Sequence, residues 1–117
     1  MSASKTVLFA FRGDPLCFIH VLLNSIDMNG RGQQGKIVLE GESVTLVRQM
    51  AEPGHFLNQL YQKAKSLDLF EGACKACATK LEAIEAIEKE GIPLIGEMSG
   101  HPAMGEFTAK GYTVITF

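Results

Sequence analysis

Two cysteines, Cys74 and Cys77, stand in C-x-x-C spacing within Leu69-Phe-Glu-Gly-Ala-Cys-Lys-Ala-Cys-Ala-Thr-Lys-Leu81. Such a pair supports three chemistries. One thiolate can act as a nucleophile, the two can close a disulfide, or both can ligate a metal. For Cys77 the functional reading is a nucleophilic thiolate at a helix N-terminus; the alternative is a small buried apolar residue. Cys74 reads either as a resolving thiol or as a strand residue facing the core. In a metal reading, Cys74 and Cys77 are joined by Cys17, His55 or His101 around Zn²⁺ or an iron–sulfur cluster. A strong zinc signature has a second C-x-x-C, and this chain has only three cysteines. His101, in a Gly-His-Pro loop, is a proton donor or thiolate partner for Cys77, or a solvated loop residue. His20 reads as a core or interface residue and His55 as a helix-start residue. Arg12 and Asp14 follow the first strand as a salt bridge, a cap or part of the same edge.

These residues depend on the elements around them. Residues 6–11 form an apolar run that suits a buried strand. Asp14 caps a helix over 16–28, with Pro15 at its first position, Leu16, Ile19, Leu23 and Ile26 at helical spacing, and Val21 and Leu22 widening the apolar stripe. Residues 36–40 make the second strand. Residues 43–50 fit a short helix better than a strand. Residues 55–67 place Phe56, Leu57, Leu60, Tyr61 and Ala64 on one helical face. The third strand spans 70–74. A helix from 77 or 78 to 90 follows, with Leu81, Ile84 and Ile87 inward. Residues 92–95 are a fourth strand and 96–102 a loop. A helix over 103–110, capped by Gly111, leads to a last strand over 112–117. Strands and helices thus alternate. The expectation is a single α/β domain over 1–117, flavodoxin-like, with a mostly parallel five-stranded sheet and helices on both faces.

In such a sheet the loops leaving the carboxyl ends of the strands share one edge, where ligands and reactive groups collect. That places the three cysteines and His101 together. The positive end of a helix starting at Cys77 favours the thiolate.

Composition narrows the partners. The chain is 46% hydrophobic, enough to bury a core, and its net charge of −2 leaves no footprint for nucleic acid. No stretch approaches the ~20 apolar residues of a membrane span. Residues 1–5 do not read as a signal peptide, so the expected location is the cytoplasm.

Lys5-Thr-Val-Leu-Phe9, Val38-Leu-Glu-Gly-Glu42, Ala76-Cys-Ala-Thr-Lys-Leu81 and Gly111-Tyr-Thr-Val-Ile115, in that order and spacing, carry a further signal. Through them the chain resembles the DsrE/DsrF-like family of small sulfur-relay proteins over nearly its whole length. The resemblance implies a flavodoxin-like domain that assembles as a trimer or hexamer. It implies a persulfide carried on the cysteine after the third strand, which Cys77 matches, with no organic cofactor. Its partners would be sulfur donor and acceptor proteins. The other reading is a non-catalytic binding or regulatory protein, metal- or redox-responsive through Cys74 and Cys77.

Overall fold

A computed structural model describes residues 4–117 of the protein. The five strands are β1 (Lys5–Ala10), β2 (Gln34–Leu39), β3 (Phe70–Cys74), β4 (Leu94–Ile95) and β5 (Thr113–Thr116). They form one sheet in the order β4-β3-β2-β1-β5, and every pairing is parallel. The fold is the expected flavodoxin-like α/β domain, with a sheet that is wholly parallel.

The helices are α1 (Pro15–Gly30), α2 (Leu46–Met50), α3 (Asn58–Ser66), α4 (Lys75–Lys80), α5 (Ile84–Lys89) and α6 (Met104–Ala109). A 3₁₀ turn over Gly41–Thr45 leads into α2. From β1 to β4 the chain steps across the sheet in one direction. Right-handed crossovers then place α1 to α5 on one face, and the reversed step to β5 leaves α6 on the other. Strand alternation follows this division. Leu8, Ala10, Ile37 and Leu39 face the larger core with Phe18, Leu22, Met50, Tyr61 and Ile87. Val7, Phe9 and Val38 face Phe107 of α6, whose ring meets Phe9 edge-on at 5.6 Å. Each buried valine, leucine, isoleucine, phenylalanine or methionine among these contributes about 1.5–3 kcal/mol.

Local signals act as expected at several ends. The Asp14 carboxylate accepts the N–H of Leu16 with Pro15 opening α1. Gly32, Gly91 and Gly111 adopt positive φ just beyond helices.

Other local expectations are corrected. Of the expected stripe on α1, Val21 and Leu22 are buried and Ile19 and Ile26 pack partly buried against the core, but Leu16 and Leu23 are 69% and 46% exposed and Phe18 and Ser25 turn inward instead. His20 is exposed, not in the core. Apolar residues circle most of this helix, so periodicity alone does not choose the face. The helix expected over 55–67 begins only at Asn58, because His55 folds back on its own backbone: its Nδ1 accepts the N–H of Leu57. Phe56 is consequently exposed.

The helix expected from 77 or 78 to 90 is two helices. It breaks after Lys80, where Glu82 takes a φ of 56° and the N–H of Ala83 returns to the carbonyl of Ala78. Leu81 is therefore turned outward, 40% exposed. Beyond the break Ala83 and Ile87 enter the core.

Candidate functional site

The end of β3 places Cys74 at the carboxyl edge as the residue capping α4. Its Sγ accepts the backbone N–H of Cys77 at 3.3 Å, doing what a serine or aspartate oxygen usually does at this position. Cys74 is fully buried. Cys77, in the first turn of α4, is only partly buried against the core. Lys75 lies between them and is exposed.

The β4–α6 loop brings His101 to this pair. Its Nδ1 lies 3.2 Å from Cys74 Sγ. The loop is tied to the start of α4 by its backbone: the N–H of Ala76 donates to the carbonyl of Gly100 at 2.8 Å. Met98 and His101 exchange two backbone hydrogen bonds. Gly100 takes a φ of +92°, and a Cβ there would press on Ala76 Cβ at 3.2 Å. Glycine is needed at this position both for its backbone angle and for the close approach. The donor atoms of Cys74, Cys77 and His101 all fall within 4.8 Å of one another.

Glu40, the residue after β2, completes the group. Its carboxylate is nearly buried and lies 4.0 Å from His101 Nδ1. The sequence reading assigned it no role. The available signal was an acid ending an apolar strand at the carboxyl edge, directly before a glycine.

Burial governs the electrostatics. It pushes the Cys74 thiol up to about 11; the N–H of Cys77 works against this, while the Cys77 thiol and the Glu40 charge add to it. Burial also raises the Glu40 carboxyl, with His101 and Cys74 pulling it back down. At neutral pH Cys74 therefore holds its proton, donating to the Gly100 carbonyl at 3.7 Å with His101 Nδ1 at 3.2 Å beside it. Of the two thiols, Cys77 is the one that a second molecule can reach.

The remaining candidates lie elsewhere. Cys17 sits between Asp14 Oδ2 at 3.9 Å and an Arg12 guanidinium nitrogen at 3.8 Å. It lines a separate hollow with Arg12, His20 and Phe117. His55 stacks on Phe56 at 4.9 Å and is not part of the thiol group. A hollow of about 430 Å³ lined by Lys65, Phe70, Glu90 and Pro93 opens at the amino edge of the sheet, away from the cysteines.

No family model matches the chain. It is 31% identical over 97 residues to the uncharacterized protein MJ0733 of Methanocaldococcus jannaschii, a match covering 83% of this chain and 77% of that protein. An uncharacterized protein of Archaeoglobus fulgidus is 31% identical over 62 residues, which span 53% of this chain and all of that one. Among solved structures, the conserved protein of unknown function BT1422 from Bacteroides thetaiotaomicron superposes with a TM-score of 0.66 at 17% identity. That superposition covers 97% of this chain and 95% of BT1422, and it reflects a shared fold. The extent and identity of the first match show that this chain belongs to the family of MJ0733.

Proposed function

We propose that the protein carries sulfane sulfur as a persulfide on Cys77 and releases it to a partner or through Cys74. The observation behind this reading is the pairing of a reachable thiol, Cys77, with a buried thiol, Cys74, that has an imidazole at 3.2 Å. The resemblance to DsrE/DsrF-like proteins points the same way.

In the uptake step, the Cys77 thiolate attacks the outer sulfur of a donor persulfide. A new S–S bond forms on Cys77, the donor's S–S bond breaks, and the donor leaves as a thiol. An acceptor thiolate can take the outer sulfur in the same way and restore Cys77. Alternatively, Cys74 attacks the inner sulfur of the Cys77 persulfide and gives its proton to His101. The Cys74–Cys77 disulfide then forms and hydrogen sulfide leaves, and a dithiol reductant resets the pair. No organic cofactor takes part. The working location is the cytoplasm, among protein donors and acceptors, and the assembly is a homo-oligomer, a trimer or hexamer. The exposed Leu16 and Leu23 on α1 are compatible with such an assembly. Light scattering at the monomer mass across a concentration range would reject it.

Intact-mass measurement after incubation with a sulfane-sulfur donor tests the carrier role. The native chain and the Cys74→Ser variant should gain a sulfur atom, and Cys77→Ser should not. Full uptake by Cys77→Ser would overturn the reading.

A further inference from the structure

We propose that the reduced protein binds one soft divalent cation of the zinc type through Cys74, Cys77 and His101. The inference is independent of sulfur transfer, since it concerns the dithiol with no sulfur loaded.

Three separate stretches supply the donors: the end of β3, the first turn of α4 and the β4–α6 loop. Their donor atoms converge within 4.8 Å. Zinc–sulfur and zinc–nitrogen bonds of about 2.3 and 2.0–2.1 Å place a sulfur and a nitrogen of one tetrahedral site roughly 3.6 Å apart. Cys74 Sγ and His101 Nδ1 already stand at 3.2 Å. Cys77 and His101 are only partly buried, so small rotations about their side-chain bonds can close the set around an ion.

The loop is anchored independently of any ion. Backbone bonds from Ala76 to Gly100 and between Met98 and His101 hold the imidazole over the C-x-x-C turn. Two thiolates and an imidazole suit Zn²⁺ and Co²⁺ and disfavour Mg²⁺ and Ca²⁺. On binding, the two thiols lose their protons to solvent and two S–metal bonds form. Three protein ligands leave a fourth position, the arrangement of zinc sites that bind water or a substrate. Glu40, 4.0 Å from His101, is the acid that flanks the set.

The test is titration of the fully reduced chain with Co²⁺, followed by competition with Zn²⁺. The expected result is one ion per chain, with a thiolate-to-cobalt charge-transfer band and the intense visible bands of a tetrahedral site. Zn²⁺ should abolish these bands and protect Cys77, the reachable thiol, from alkylation. Affinity should fall at least about tenfold in His101→Gln. Cys77→Ser should lose the charge-transfer intensity of one thiolate. Far-ultraviolet circular dichroism identifies a variant that does not fold; His101→Gln and Cys77→Ser alter partly exposed residues and carry the test if Cys74→Ser fails. Absence of the charge-transfer band would overturn the site, and so would an affinity unchanged in both His101→Gln and Cys77→Ser. Neither result touches sulfur uptake on Cys77, which the mass measurement reads separately.

Discussion

Cys74 Sγ and His101 Nδ1 lie 3.2 Å apart although 27 positions separate them in the chain. In the proposed carrier reaction this contact would supply the buried thiol with a proton acceptor. His101→Ala should therefore leave sulfur loading of Cys77 intact and slow sulfide release from the loaded protein. Loss of a positioned proton acceptor typically costs about 10²–10⁴ in rate. A time course of sulfide release reads this, and an unchanged rate would remove His101 from the step.

The difference in exposure between the two thiols predicts an order of modification. A small alkylating reagent should label Cys77 in the native protein and leave the fully buried Cys74 unmodified until the chain is denatured. Peptide mapping after limited labelling measures the ratio. Equal labelling of both would contradict the buried position of Cys74.

Mild oxidation should join Cys74 to Cys77 and leave Cys17 free. The first two have sulfurs within 4.8 Å, whereas Cys17 lies between Asp14 and Arg12 outside that group. Non-reducing digestion and mass mapping identify the bridge. A bridge that includes Cys17 would contradict this arrangement.

Gly72 in β3 packs against β4. A Cβ there would overlap the Ile95 side chain at Cδ1 and Cγ1 and stand 3.0 Å from the Pro93 carbonyl oxygen. Gly72→Ala should cost about 1–3 kcal/mol in urea unfolding, as expected of overpacking in a tight interior. Because β4 carries the His101 loop, the same substitution should weaken the His101-dependent steps. Stability within ~0.5 kcal/mol of the native chain would show that β4 is free to shift.

Glu90 accepts the Tyr61 hydroxyl at 2.7 Å and the Lys65 ammonium at 3.0 Å. Partial burial tends to raise its carboxyl, but these two donors outweigh it and hold it below its ordinary value of 4.5. Its stabilising contribution is present above that value and is lost as the pH falls through the depressed one. Thermal unfolding followed downward from pH 5 should decline less steeply in Glu90→Gln. Tyr61→Phe should cost about 1.5–3 kcal/mol at neutral pH, the range for a hydrogen bond to a charged group. Parallel acid limbs in Glu90→Gln and the native chain would rule this linkage out.

Much of the architecture was legible because it rests on short-range signals. Alternating apolar runs and helical periodicities define the five strands and their order in the chain. Asp14 and Pro15 mark the start of α1, and glycines at 32, 91 and 111 mark helix exits. The position of Cys74 and Cys77 at a strand–helix junction follows from the same pattern. The break between α4 and α5 was hidden because residues 81–83 are compatible with a helix, and the turn there is set by how Ala83 and Ile87 meet the core. The buried side of α1 was equally ambiguous, since apolar residues occur around most of its circumference and only the sheet selects among them.

By itself the sequence determined that this is one α/β domain with a dithiol at a carboxyl edge. Backbone propensity and hydrophobic patterning act over a few residues and suffice for that. The same pattern put His101 and all three cysteines at that edge. Only the tertiary structure decided which of them meet: His101 joins Cys74 and Cys77, its loop held by the Ala76 N–H donating to the Gly100 carbonyl, while Cys17, His20 and His55 do not. Glu40 enters because β2 pairs beside β3 and ends at the same edge. Such meetings depend on strand order and on the closure of distant loops, whose energies come from packing across the sheet and not from the residues' own neighbours in the chain.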